Sequence, residues 1–209
     1  MLKKTVACVF VCALISLARP LLAQNDVLAG KYQIIPEESR IEIKTGTAGL
    51  FGFAGHSHSI IPSNFSGEVE INASDPKGTQ VTILIQAPSL KETGDFSSKE
   101  IEEIDSQMHN TVLESSKYPE IAFHSTAVKY KEGGGHVYDA QIEGDLALHG
   151  VTKRITVPAR ITVDGSTLRA NGSFKIERPD FKIETKSAGG GTVKVAKTLE
   201  INFLFVLKH

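Results

Sequence analysis

Two histidines two residues apart, His56 and His58, stand in the stretch FGFAGHSHS, Phe51 to Ser59. In extended backbone, side chains alternate, so both imidazoles leave on one face. That supplies two ligands of a metal site, and the remaining ligands must come from elsewhere. His109, His124 and His149 are the available thirds, but no spacing brings them together. Strand phasing puts His124 and His149 opposite the apolar face of their own strands, outside a barrel or at its rim. The pattern favours His56 and His58 as solvated rim histidines or partners of a loop. A metal-binding protein or metal-dependent enzyme built on His56 and His58 is the alternative. No nucleophile elbow, Walker loop, dinucleotide fingerprint or H-E-x-x-H occurs.

The chain that must position these residues has 209 residues, a formal charge of −1 and 41% hydrophobic residues. Such a balance has no pull toward nucleic acid or anionic membranes. The first 23 residues read as a cleaved signal peptide. Lys3 and Lys4 form a positive start, Thr5 to Leu17 an apolar run too short for a comfortable span, and Ala23 a small residue before the cut. Both cysteines, Cys8 and Cys12, lie inside that leader. Residues 24–209 are then one exported domain, periplasmic or secreted, with no disulfide, no thiol chemistry and no stable membrane anchor.

Period-two alternation recurs from Gly30 onward. Ile41/Ile43/Thr45, Phe65/Gly67/Val69/Ile71, Val81/Ile83/Ile85 and Ile121/Phe123 each share a face. So do Ile142/Gly144/Leu146/Leu148, Ile155/Val157/Ala159/Ile161/Val163, Leu168/Ala170/Gly172/Phe174/Ile176 and Leu199/Ile201/Phe203/Phe205/Leu207. Glycine-bearing turn signals at Gly133 to Gly135, His149-Gly150, Asp164-Gly165 and Gly189 to Gly191 separate the runs. Pro158 inside a run indicates an edge or a bulge. One segment breaks the pattern. Ser97 to about Leu113 predicts an amphipathic helix, with a Ser97/Glu100 capping box, Phe96 stapled to Ile101, and Ile101, Ile104, Met108 and Val112 on one face. The expected class is all-β, a barrel or a sandwich with one helix.

If the strands close, the interior is filled by side chains or holds one small ligand. Gly67, Gly144, Gly172 and Ala170 at inward positions leave room unless larger neighbours fill it. Arg178 and Asp180, two apart in RPDF, either pair with each other or bind a ligand head group.

Several short motifs recur together in order. They are Tyr118-Pro119-Glu120-Ile121-Ala122-Phe123 with Ser125, Ile142 to Leu146, and His149-Gly150-Val151-Thr152. Asn171 to Phe174 and Arg178-Pro179-Asp180-Phe181 complete the set. On these residues the chain resembles the YceI-like lipid- or polyisoprenoid-binding family, in a His-x-His-containing branch, over nearly all of Tyr32 to Leu207. The resemblance implies a lipocalin-like extended antiparallel β-barrel of about eight strands with one amphipathic helix. It implies no enzymatic activity and no cofactor beyond a bound lipid, a long isoprenoid, quinone-like or fatty chain in an apolar tunnel. Candidate contacts are Phe51 and Phe53 at the mouth and Ile83, Ile85, Phe123 and Leu146 on the wall. Phe174, Phe203 and Phe205 join them, with Met108 from the helix and Phe181 from the RPDF turn. Arg178 and Asp180 are the head-group candidates. The oligomeric state is unset, and a dimer is compatible. Two positions depart from the family pattern: Met108 to Leu113 reads MHNTVL, and Lys182 stands where a glycine often follows Asp-Phe.

Overall fold

The computed structural model describes residues 29–48, 57–72, 75, 78–184 and 194–209. In chain order the strands are β1 (Gly30–Ile34), β2 (Arg40–Thr45), β3 (Thr47–Ala48), β4 (His58–Pro62), β5 (Phe65–Ile71), β6 (Gln80–Gln86) and β7 (Leu90–Glu92). Helix α1 (Ser98–Gln107) follows. Then come β8 (Glu120–Gly134), β9 (Val137–Leu148), β10 (Val151–Asp164), β11 (Thr167–Glu177), β12 (Lys194–Val195) and β13 (Thr198–Lys208).

Eight of these close a ring in the order β1-β5-β6-β8-β9-β10-β11-β13, antiparallel throughout. The seam is Gln33 opposite Lys208 and Ile34 opposite Leu207. Closure removes the edges that a sheet of this length would otherwise expose. The inward phase expected from alternation holds on these strands. Tyr32, Ile34, Phe65, Phe123, Leu146, Val157, Leu168 and Leu207 are all buried.

Three strands are broken and continue past the ring. A 3₁₀ turn at Pro36–Glu38 separates β1 from β2, Ser63 and Asn64 separate β4 from β5, and a 3₁₀ turn at Ala87–Ser89 separates β6 from β7. Beyond the breaks, β2, β4 and β7 form a flap attached to β13 through Glu200 to Leu204. Pro36 and Pro88 lack an N–H to give to a ladder, so breaks at these points cost little.

Pro158 lies in an interior strand, paired with Gln141 on β9. The ladder toward β11 covers Arg160 to Asp164 and stops before it. The expected edge is therefore local: one side of β10 loses its partner where proline has no hydrogen to donate.

Helix α1 caps the flap. Ser97 and Glu100 make the capping box in both directions. The last turn widens, so that Met108–Val112 is a π turn in which the Leu113 N–H donates to the Met108 carbonyl at 2.8 Å. That register buries Met108 and aims His109 at two fixed partners: its Nε2 donates to the Leu90 carbonyl and its Nδ1 lies against the Ser115 hydroxyl, each at 3.0 Å. Among the described residues no helix is long and apolar enough to cross a membrane.

Candidate functional site

Inside the ring the inward side chains leave a cavity of about 490 Å³. Small-molecule sites span roughly 300–1,000 Å³. Ile83, Ile85, Phe123, Leu146, Phe174, Phe203 and Phe205 line it, each from the face its alternation assigned. On β10 the lining runs from Ile155 to Val163. That stretch is about 26 Å of strand, or roughly 20 Å along the axis of a barrel with ordinary tilt.

The inward glycines do not make this space. A Cβ on Gly144 would fall 2.4 Å from the Phe123 ring, and one on Gly172 would fall 2.6 Å from Phe203. A Cβ on Gly67 would meet Ile34 and Ile83. These glycines let large side chains lie flat against the wall. Room remains instead beside the lining alanines, Ala140, Ala159 and Ala170, of which Ala140 and Ala159 face each other across β9 and β10.

The two ends differ. Every strongly polar lining residue lies in or next to the β5–β6 and β8–β9 turns: Asn72, Thr79, Tyr130, Glu132, His136 and Tyr138. Tyr130 is half exposed there and Glu132 and His136 are exposed, so this is the mouth. At the far end Leu148, Ile176, Phe181 and Ile183 pack into a dry floor with Val112 and Leu113. Phe181 thus sits in the floor, and Met108 is buried in the π turn; neither is among the residues that line the cavity. Phe51, Phe53 and His56 lie outside the described residues.

Val128, Tyr130 and Glu132 complete the wall, although sequence alternation stopped at Phe123. A bulge between Ser125 and Ala127 switches the phase of β8. The signal was present in the alternation of Val128 and Tyr130 with Lys129 and Lys131.

His58 departs from its expected solvated rim. It lies on the inner face of the flap with its side chain 22% exposed, and its Nδ1 is 2.8 Å from Glu92 Oε2. A carboxylate only accepts, so the ring donates from Nδ1. The other oxygen of Glu92 accepts from the backbone N–H groups of Ser59, Thr93 and Gly94 at 3.0, 3.1 and 2.7 Å. The Phe96 ring stacks on His58 at 5.3 Å. Asp105 on α1 turns to this pocket and accepts from the Glu92 N–H at 2.8 Å. Of the other histidines, His124 is exposed on the outer wall as its phase required. His149 is tucked in, its side chain 9% exposed. Among the described residues no three His, Cys, Asp or Glu groups converge as metal ligands would.

A closed eight-stranded antiparallel barrel with a greasy interior and one capping helix can be set beside known proteins. The sequence profile of the YceI-like domain matches residues 32–207. The chain belongs to the YceI-like family. A UPF0312 protein from Pseudomonas savastanoi pv. phaseolicola is 29% identical, with all of both chains aligned. Protein YceI from Escherichia coli O17:K52:H18 is 30% identical over 58% of this chain and 61% of that one. Among solved structures, BcnA of Burkholderia cenocepacia superposes with a TM-score of 0.64 at 20% identity, covering 83% of this chain and 98% of BcnA. A polyisoprenoid-binding domain from Saccharophagus degradans gives 0.61 at 13% identity, over 85% of this chain and 97% of that domain. At these identities the two structures speak for the fold.

Three of the motifs that carry the YceI-like resemblance meet at the floor through Tyr118, His149-Gly150 and the RPDF turn. Tyr118 meets the His149 ring edge-on at 4.6 Å, and a Cβ on Gly150 would strike the Tyr118 ring. The His149 ring lies 3.1 Å from the Phe181 carbonyl through Nδ1 and 3.1 Å from Glu114 Oε2 through Nε2. His149 and Gly150 both have positive φ, the two-residue turn that suits a tight hairpin. Arg178 is buried and donates to the carbonyls of Ala196 and Ile183, each at 2.9 Å. Burial pushes its guanidinium down from the ordinary arginine range, against a pull upward from Glu177. Asp180 is exposed on the same turn. Neither Arg178 nor Asp180 lines the cavity. Lys182 has φ +57°, the left-handed region that glycine enters freely; here lysine accepts the strain.

Proposed function

We propose that this YceI-like protein is an exported carrier that holds one long-chain amphiphile in its barrel, without catalysis. The observation that carries the reading is the tunnel: about 490 Å³, walled by aliphatic and aromatic side chains, with its polar groups confined to one end. A chain inserted tail-first loses water along its length and leaves its head at the mouth. The Saccharophagus degradans domain, named for polyisoprenoid binding, has the same fold and supports an isoprenoid or fatty tail. Export rests on the leader-like start, with Lys3 and Lys4 ahead of the apolar run from Thr5 to Leu17.

Chain length tests this reading. Each methylene buried contributes about 0.8 kcal/mol, or roughly a fourfold gain in affinity. Delipidated protein titrated with a series of unbranched alcohols is expected to show that gradient until the chain spans the roughly 20 Å tunnel, and then a plateau. Affinity independent of chain length would contradict a tunnel that swallows the tail.

A further inference from the structure

Among the described residues, the cavity lining contains one carboxylate side chain, Glu132, and one imidazole, His136, and no lysine or arginine. The neighbouring lysines belong to the outer face by alternation. Lys129 Nζ reaches Glu143 Oε1 at 2.7 Å, and Lys131 pairs in register with Asp139. Glu132 itself forms no ion pair among the described residues.

The turn that bears these groups is held in place. Gly135 and His136 take positive φ of 62° each, and the Val163 N–H donates to the His136 carbonyl at 3.0 Å, tying the β8–β9 turn to β10. Below it the Tyr130 and Tyr138 rings meet edge-on, 5.9 Å apart. A head group at this rim therefore faces the Glu132 carboxylate, the His136 imidazole, two phenols, the Asn72 amide and the Thr79 hydroxyl.

A carboxylate accepts hydrogen bonds and donates none. A phosphate or carboxylate head would bring like charge to Glu132 with no lysine or arginine among the described lining residues to offset it, whereas a hydroxyl could donate to Glu132 and accept from a phenol or an amide. Resting on the lipid-binding reading above, we infer that the mouth selects an uncharged, hydrogen-bond-donating head, of the alcohol or phenol class, over an anionic one. Glu132 is the discriminating residue.

Competition against a bound fluorescent alkyl probe tests this at one chain length, with hexadecanol, hexadecyl phosphate and palmitate at one mildly alkaline pH. Hexadecanol is expected to bind roughly tenfold more tightly than either anion, the factor for unit charges about 6 Å apart in a partly solvated site. The gap should shrink as salt is added. Glu132→Lys should bring hexadecyl phosphate level with hexadecanol or above it, because the variant replaces a repelling carboxylate with a cation. Equal binding of alcohol and phosphate by the wild type would overturn the inference and leave the tunnel intact. So would a preference that survives Glu132→Lys. If none of the three competes with the probe, the lipid-binding reading falls, and the head-group inference with it.

Discussion

The Ala159→Phe variant is expected to lose long-chain binding by more than about a hundredfold while remaining folded. Ala159 sits midway along the lining of β10, between Ile155 and Val163, and opposite Ala140 on β9. Its β11 side carries no ladder at that height. A phenyl group added there projects into existing space, so overpacking strain stays small compared with the 1–3 kcal/mol of a filled core. The ring closes the tunnel about half way. Denying a ligand even four methylene lengths costs about 3 kcal/mol, a factor of more than a hundred. The check is a probe titration of wild type and variant, with thermal unfolding as the control for folding. Ala170→Phe, which enters the same void from β11, should behave alike. Binding within a few-fold of wild type in both variants would place the lipid elsewhere.

Glu92→Ala should be the most damaging single truncation to stability. The Glu92 side chain is fully buried, and three backbone N–H groups and the His58 ring turn to it. Removing the carboxylate takes the acceptor from the Ser59 and Gly94 N–H groups and from the His58 ring, while the Thr93 N–H keeps the Ser59 carbonyl at 2.7 Å. Loss of one partner from a buried charged network costs about 3–5 kcal/mol. That is a large share of the 5–15 kcal/mol by which a domain is ordinarily stable, so the midpoint of urea unfolding should fall steeply. Glu92→Gln keeps one oxygen for the backbone donors but sets an amide N–H against the His58 donor, so a smaller loss is expected. A Glu92→Ala loss below about 1 kcal/mol would mean that the flap contributes little to the folded state.

The contrast between these two sites shows what the chain makes legible. Wall phase could be read wherever apolar and polar residues alternate, because a closed barrel buries one face of every strand. That is why Phe123, Leu146, Phe174 and Phe203 were placed correctly from spacing alone. The reading failed where backbone geometry changes phase. The bulge at Ser125 to Ala127 moves Val128, Tyr130 and Glu132 inward, and with them half of the mouth. Glu92 carried no signal at all. A lone glutamate after Leu90 looks like a solvated strand end, and only the convergence of the Ser59, Thr93 and Gly94 backbone makes its burial tolerable. The partner of His58 is hidden from the sequence for the same reason, since it lies 34 residues away on another strand. The motifs around His149 and Arg178 were recognisable as a set, yet what they build is the floor. Their polar groups are spent on carbonyls and neighbouring rings, which fixes the closed end and leaves the open end to the β5–β6 and β8–β9 turns.

Native mass spectrometry of the protein purified from its own host, followed by lipid extraction, tests the carrier reading most directly. The prediction is a mass excess of one lipid per chain, released by organic solvent and bearing a long isoprenoid or acyl tail, which Ala159→Phe abolishes. Protein that arrives at its bare polypeptide mass, and takes up neither prenyl nor acyl chains on incubation, would contradict it.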